Sequence, residues 1–175
     1  MSVDQKERSP LARLCEVAEK LRTGGAINQY AALCFRPSDL GCSEIEILLI
    51  TSRDSGRWVI PKGWSMPKKK PHQVARQEAW EEAGVRGQVQ KKPFGYYTYA
   101  KKIGGGELVP SVVQVHLLNV AALEEDFPEK GQRQLRWFSP TDAARAVDEF
   151  ELRGLFMNLN RDGKSRQFGQ MQTWP

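Results

Sequence analysis

Glu78, Glu81 and Glu82 stand at positions i, i+3 and i+4 of one segment. On a helix turning about 100° per residue, they share an arc of about 100° on one face. Like charges four apart on a helix cost roughly 0.2–0.5 kcal/mol per pair. The side chains four residues earlier, Val74, Gln77 and Glu78, supply no cation to offset this. A divalent ion would offset it, and hard oxygen ligands suit magnesium or manganese. A solvated acidic surface is the plain alternative. The setting argues against it. A loop, Pro61-Lys62-Gly63, precedes the helix, and Gly84 is a standard C-terminal stop. Ala75, Ala79 and Ala83 line the opposite face with small residues that let the helix lie close to a sheet. Trp80 flanks that stripe and can bury a large apolar area.

The segment from Gly63 to Val85 resembles the Nudix box, G-x5-E-x7-R-E-U-x-E-E-x-G-U with U aliphatic. Gly63, Glu78, Glu81, Glu82, Gly84 and Val85 fall on its positions without insertion, and Ala79 takes the aliphatic place with a smaller side chain. Two positions depart: Lys69 stands where the pattern has its first Glu, and Gln77 where it has Arg. The resemblance implies an α+β chain folded as an α/β/α sandwich, with a mixed β-sheet and a loop-helix-loop that binds metal and cleaves pyrophosphate bonds. It implies Mg2+ (or Mn2+) on Glu78 and Glu82, the Gly63 carbonyl completing the shell, and Glu81 as the base that takes a proton from water. Gln77, one turn before Glu81, can hold it by a hydrogen bond weaker than an arginine's. Arg76 is expected to reach toward Trp80, four residues on. Lys69 cannot ligate a cation at neutral pH. Three helical carboxylates remain, which makes this a variant site rather than a dead one.

Within that family the chain is most similar to the diphosphoinositol and diadenosine polyphosphate hydrolases. The matching pieces are Ala31 to Arg36, Leu48 to Pro61, and Arg133 to Phe138. By this resemblance Thr51, Ser52, Arg53 and Arg133 contact phosphates, roles that hydroxyls and guanidinium groups suit. Those relatives carry a basic run before the first strand, where this chain has Ile27-Asn28-Gln29. A heavily phosphorylated inositol demands many cations, so a dinucleoside polyphosphate is the better fit. Removal of pyrophosphate from RNA 5′ ends, or a non-catalytic nucleotide- or RNA-binding sensor, are the rival readings.

The charge distribution agrees with a polyanionic small-molecule substrate. Between Pro61 and Lys102 there are ten Lys or Arg against three Glu, more net positive charge than the +5 of the whole chain. A positive cleft attracts and concentrates such a substrate. Lys68, Lys69 and Lys70 on the loop, and Lys101 and Lys102 at a hairpin, are its candidate contacts.

The 175 residues are enough for one domain with a proper core. No apolar run approaches the length of a membrane span, and the polar, charged opening residues exclude a secretory signal. Cys15, Cys34 and Cys42 are odd in number and lack metal spacing, which fits a reduced, cytoplasmic compartment. His72 and His116 read as helix-start and strand residues rather than ligands.

Periodicity supplies the elements that must position the site. Residues 1–25 hold an amphipathic helix, Pro10 to Thr23, packed on the domain or on a partner subunit in a dimer. Strands are expected over Ala26–Arg36, Glu44–Arg53 and Trp58–Ile60, then Gln88–Tyr99 and Leu108–Val120 as a hairpin around Gly104-Gly-Gly106, then Gln134–Phe138. Ser139, Pro140 and Asp142 start a helix running through Val147. A last helical stretch carries Leu152, Leu155 and Phe156. The Nudix-like domain spans 26–158, and 159–175 is a polar tail.

Overall fold

The computed structural model describes residues 15, 18, 19, 22, 23, 25–38, 44–102 and 108–159. Eight strands form one mixed sheet: β1 (Ile27–Pro37), β2 (Ile45–Thr51), β3 (Trp58–Val59), β4 (Lys62–Trp64), β5 (Val85–Val89), β6 (Gly95–Lys102), β7 (Leu108–Leu123) and β8 (Leu135–Phe138). The order β3-β2-β1-β7-β5 makes its spine, with β4 on β1, β6 on β7 and β8 on β2. The β1–β7 pair at the centre is parallel and the other pairs are antiparallel. Helices α1 (Pro71–Ala83), α2 (Pro140–Ala146) and α3 (150–159) accompany the sheet.

Strand side chains alternate between faces, and this alternation builds two cores. Ala31 and Leu33 of β1, with Ile47 and Leu49 of β2, face Ala143 of α2, with Val147 beyond its end, and Leu152 and Phe156 of α3. Ala32, Cys34, Leu48 and Ile50, one residue out of phase, face Ala75, Ala79 and Ala83 of α1. Helices thus cover both faces, as the sandwich reading requires. The alanine stripe brings α1 down onto the sheet, and that sets how close its opposite, acidic face lies to β4. Gly84 caps α1 at φ 65°, its N–H donating to the Trp80 carbonyl at 2.9 Å. Gln73 accepts at 2.8 Å from the Lys70 N–H at the other end.

Several expectations are revised. The run read as one strand, Gln88–Tyr99, is two: β5 ends at Val89 and β6 begins at Gly95. Pro93, which has no N–H to give a ladder, sits in the break. Lys62 and Gly63, read as part of a loop Pro61-Lys62-Gly63, belong to the short strand β4 pairing antiparallel with Gln29–Ala31. Helix α2 stops at Ala146, with Val147 extended at φ −99°, ψ 155°. Of the expected N-terminal helix, Cys15, Ala18, Glu19 and Arg22 are helical; the rest of it, the hairpin tip 103–107, Cys42 and the tail beyond Leu159 lie outside the described residues. No helix among the described residues is long and apolar enough to cross a membrane.

Candidate active site

Strand β4 carries Gly63 past the acidic face of α1. A Cβ built on Gly63 would meet Glu78 Oε1 at 1.9 Å, so any larger residue there would push that carboxylate aside. The next-but-three carboxylate, Glu82, accepts the Lys62 backbone N–H on Oε2 at 3.0 Å. One residue pair, Lys62-Gly63, therefore locks the strand to both expected metal ligands. Glu81 accepts on Oε1 from the Gln77 side-chain amide at 2.6 Å, as its spacing predicts, leaving Oε2 for another partner.

Arg133 is the centre of the arrangement. Only 6 % of its side chain is exposed. It donates to Glu82 Oε1 in a short contact, to Glu129 Oε2 at 2.8 Å and to the Thr51 carbonyl at 3.0 Å. The sequence assigns Arg133 to substrate phosphates, but in the structure its donors face carboxylates and backbone. The Thr51 hydroxyl is likewise engaged, accepting the Gln134 N–H at 2.9 Å and tying β2 to the chain entering β8. Ser52 forms the following turn, its N–H donating to the Arg57 carbonyl at 2.8 Å. Arg53 is the most open of these four, half-exposed with Nη1 at 3.2 Å from Glu129 Oε1.

Two residues that the sequence did not single out belong here. Glu129 lies between β7 and β8 and links Arg53 to Arg133, and its N–H donates to the Glu81 carbonyl at 3.0 Å. Its one sequence signal was the acidic run Glu124-Glu125-Asp126 before it. Lys62 had the stronger signal, standing directly before Gly63. Its amine lies over the Tyr99 ring at 5.8 Å, and burial holds its pKa below the usual lysine value against the pull of Glu82. Lys101 sits over Trp64 at 4.4 Å, and Trp64 is 48 % exposed. So Lys101 reaches the same rim as Lys62 and Gly63. The Lys102 backbone pairs with Leu108, while its side chain lies outside the described residues. Arg76 does not stack on Trp80; Arg86 does, at 4.6 Å, while Glu124 accepts the Trp80 indole N–H at 2.6 Å.

The cluster is electrostatically strained. Burial, then Glu82, Glu81 and Glu129 in that order, push Glu78 up to about 7. Burial also raises Glu82, against the opposing pull of Arg133 and the Lys62 N–H. Among the described residues no three carboxylates converge into a ready-made coordination shell. Arg133 accounts for part of this, since it holds one Glu82 oxygen. The donor chemistry fits a hard dication all the same: Glu78 and Glu82 one turn apart, backbone brought close to Glu78 by a glycine, and mutual repulsion that a dication removes. The two histidines stand outside: His72 opens α1, and His116, buried on β7, bonds through Nδ1 to the Gln90 carbonyl at 2.9 Å.

The chain is similar to known proteins in sequence and in fold. The sequence model of the NUDIX domain matches residues 30–159. Human diphosphoinositol polyphosphate phosphohydrolase 3-beta is 30% identical over 134 residues, covering 70% of each chain. An Ap4A hydrolase from C. elegans is similar in structure at TM-score 0.55 and 19% identity, over 78% of this chain and 97% of that one. A MutT protein from Methanosarcina mazei Go1 superposes at TM-score 0.53 and 20% identity, over 79% of this chain and 96% of that one. At those identities the two structures speak for the fold alone.

Proposed function

The chain belongs to the NUDIX family and is a phosphoanhydride hydrolase, and from that premise we propose that its substrate is a nucleotide-type polyphosphate such as a dinucleoside polyphosphate. Magnesium, or manganese in its place, is held by Glu78, Glu82 and the Gly63 carbonyl, with Glu81 as the base. The observation that carries this reading is the Glu78 carboxyl, pushed to about 7 among Glu82, Glu81 and Glu129 and pressed against a glycine backbone. Such a cluster gains most from a bound dication.

When bound, the ion neutralises charge on the phosphate chain and acidifies a water. The rest falls to the protein. Gln77 fixes Glu81 by one oxygen, which orients the other to accept the proton of the attacking water. Arg133 fixes Glu82 and Glu129 together. Lys62, Lys101 and Arg53, the cations on the rim, bind the phosphates. Trp64 favours a nucleotide over an inositol, because its half-exposed ring offers a flat apolar surface to a base.

The test is a phosphate-release screen with magnesium against dinucleoside polyphosphates, diphosphoinositols and triphosphorylated RNA, on wild type and Glu81→Gln. Dinucleoside polyphosphates should turn over fastest, and Glu81→Gln should lower kcat by about two to four orders of magnitude. A faster reaction on diphosphoinositols or RNA would move the substrate assignment. Undiminished activity in the variant would remove Glu81 as the base.

A further inference from the structure

The side of α1 turned away from its carboxylates overhangs β5 and β7, and a concavity of about 680 Å³ opens beneath it. That volume is in the range of small-molecule sites. His72 and Arg76 of α1 and Lys91 beyond β5 line its rim, and no acidic residue lines it. The contrast with other arginines is informative. Arg36, Arg53, Arg57, Arg86 and Arg133 are each ion-paired. Arg76 is exposed and, among the described residues, neither it nor Lys91 has an ion-pair partner. Arg136 and Arg153 are unpaired too, but Arg136 stacks over Phe138 and Arg153 donates to the Val147 carbonyl, whereas Arg76 has no such contact among the described residues and stands beside two further basic groups.

The floor has a different chemistry. At Gly87 the β5–β7 register shifts, and a Cβ there would meet the Asn119 carbonyl at 2.0 Å. The glycine lets β5 lie close against β7 there, and Gly87, Asn119 and Val120 line the concavity together. Partly apolar ground with little side-chain bulk at Gly87, next to two unpaired cations and a histidine, matches a molecule with a planar ring at one end and phosphate at the other. We propose that this concavity is a second binding site, separate from the carboxylate cluster, for a nucleoside phosphate whose phosphates meet His72, Arg76 and Lys91 and whose base lies over Gly87 and Val120.

His72 reports on the site directly. Burial first, then Lys91, Lys70 and Arg76, hold its pKa below the usual histidine value, and an anion placed among those charges reverses their effect. The experiment is an NMR pH titration of the two histidines in excess chelator, with ADP or inorganic pyrophosphate as probe. ADP should raise the His72 pKa by about half a unit or more, the direction expected of an opposite charge within a few ångströms. The shift should vanish in Arg76→Glu and persist in Glu82→Gln, which alters only the carboxylate site. An unmoved His72 in saturating ADP would overturn the proposal. So would an equal shift in Arg76→Glu, or a response to pyrophosphate without one to ADP.

Discussion

Glu78 makes the stability of the metal-free protein depend on pH in a direction opposite to that of most acidic residues. Its carboxyl titrates at about 7 in the fold against an ordinary 4.5. Between those values the folded chain holds a proton that the unfolded chain has lost. The stabilisation is therefore fully present below about 4.5 and is lost as pH rises through about 7. At roughly 1.4 kcal/mol per pH unit, that displacement corresponds to about 3 kcal/mol. The Glu78 side chain is only partly buried, and solvent screening reduces the figure to about 1–2 kcal/mol. Burial raises Glu82 as well, which adds a contribution of the same sign.

The assay is urea denaturation in excess chelator from pH 5 to pH 8, on wild type and Glu78→Gln. His72 and His116, both held below their usual values with burial the leading cause, tilt the curve the other way near pH 6. They contribute equally to both proteins, so the difference between wild type and variant isolates Glu78. Wild type should lose about 1–2 kcal/mol more than the variant across that range, a Tm difference of roughly 2–8 °C for a chain of this size. Magnesium should then stabilise wild type most at pH 8, where the carboxylate is ionised and unpaired. Parallel pH profiles for the two proteins would refute the reasoning, because Glu78 would then have no unusual environment. A wild type steeper in magnesium than in chelator would refute it equally.

Three further outcomes follow from the site. Arg133→Met leaves Glu82 and Glu129 without their shared cation in a buried position, and should cost about 3–5 kcal/mol in denaturation measurements, partly restored by magnesium. Gly63→Ala places a methyl group against Glu78 Oε1; the fold should survive by circular dichroism while the magnesium concentration for half-maximal rate rises about tenfold or more. Gln77→Arg replaces the 2.6 Å amide bond to Glu81 with a charged one, and kcat should stay level or rise; a severe loss would show that the site depends on a neutral residue there.

Local periodicity carried most of the fold into the sequence. The alternation in Ala31 to Cys34 and Ile47 to Ile50 already separates the two cores, and Ala75, Ala79 and Ala83 already face α1 toward one of them. What stayed hidden depends on pairing between distant segments. Lys62–Trp64 is too short to show a strand period, and becomes one only because Gln29–Ala31 lies beside it. The split between β5 and β6 had a local sign in Pro93, outweighed by the apolar and aromatic residues on either side. Glu129 and Arg133 reach the carboxylates only because the chain between β7 and β8 folds back over α1. No spacing rule encodes that approach.

The two departures from the box acquire separate meanings once their surroundings are known. Gln77 keeps the geometric part of the usual arginine's work, a bond to Glu81 from one turn earlier, and gives up only the charge. Lys69, which replaces a carboxylate, lies at the loop with its amine 3.6 Å from the Met66 sulfur rather than among Glu78, Glu81 and Glu82. The negative charge missing at that position is matched by Glu129, whose carboxylate does act on both Glu78 and Glu82. Glu78 and Glu82 thus stay against the Lys62-Gly63 backbone, with Glu81 and Glu129 acting on Glu78 from further off, while Lys62, Lys101 and Arg53 supply the positive charge nearby. A polyphosphate needs both at once: cations to draw in its charge, and carboxylates to hold the ion that lets water attack it. A lysine in place of glutamate on the loop adds to the positive surface and leaves Glu78, Glu81 and Glu82 together on α1.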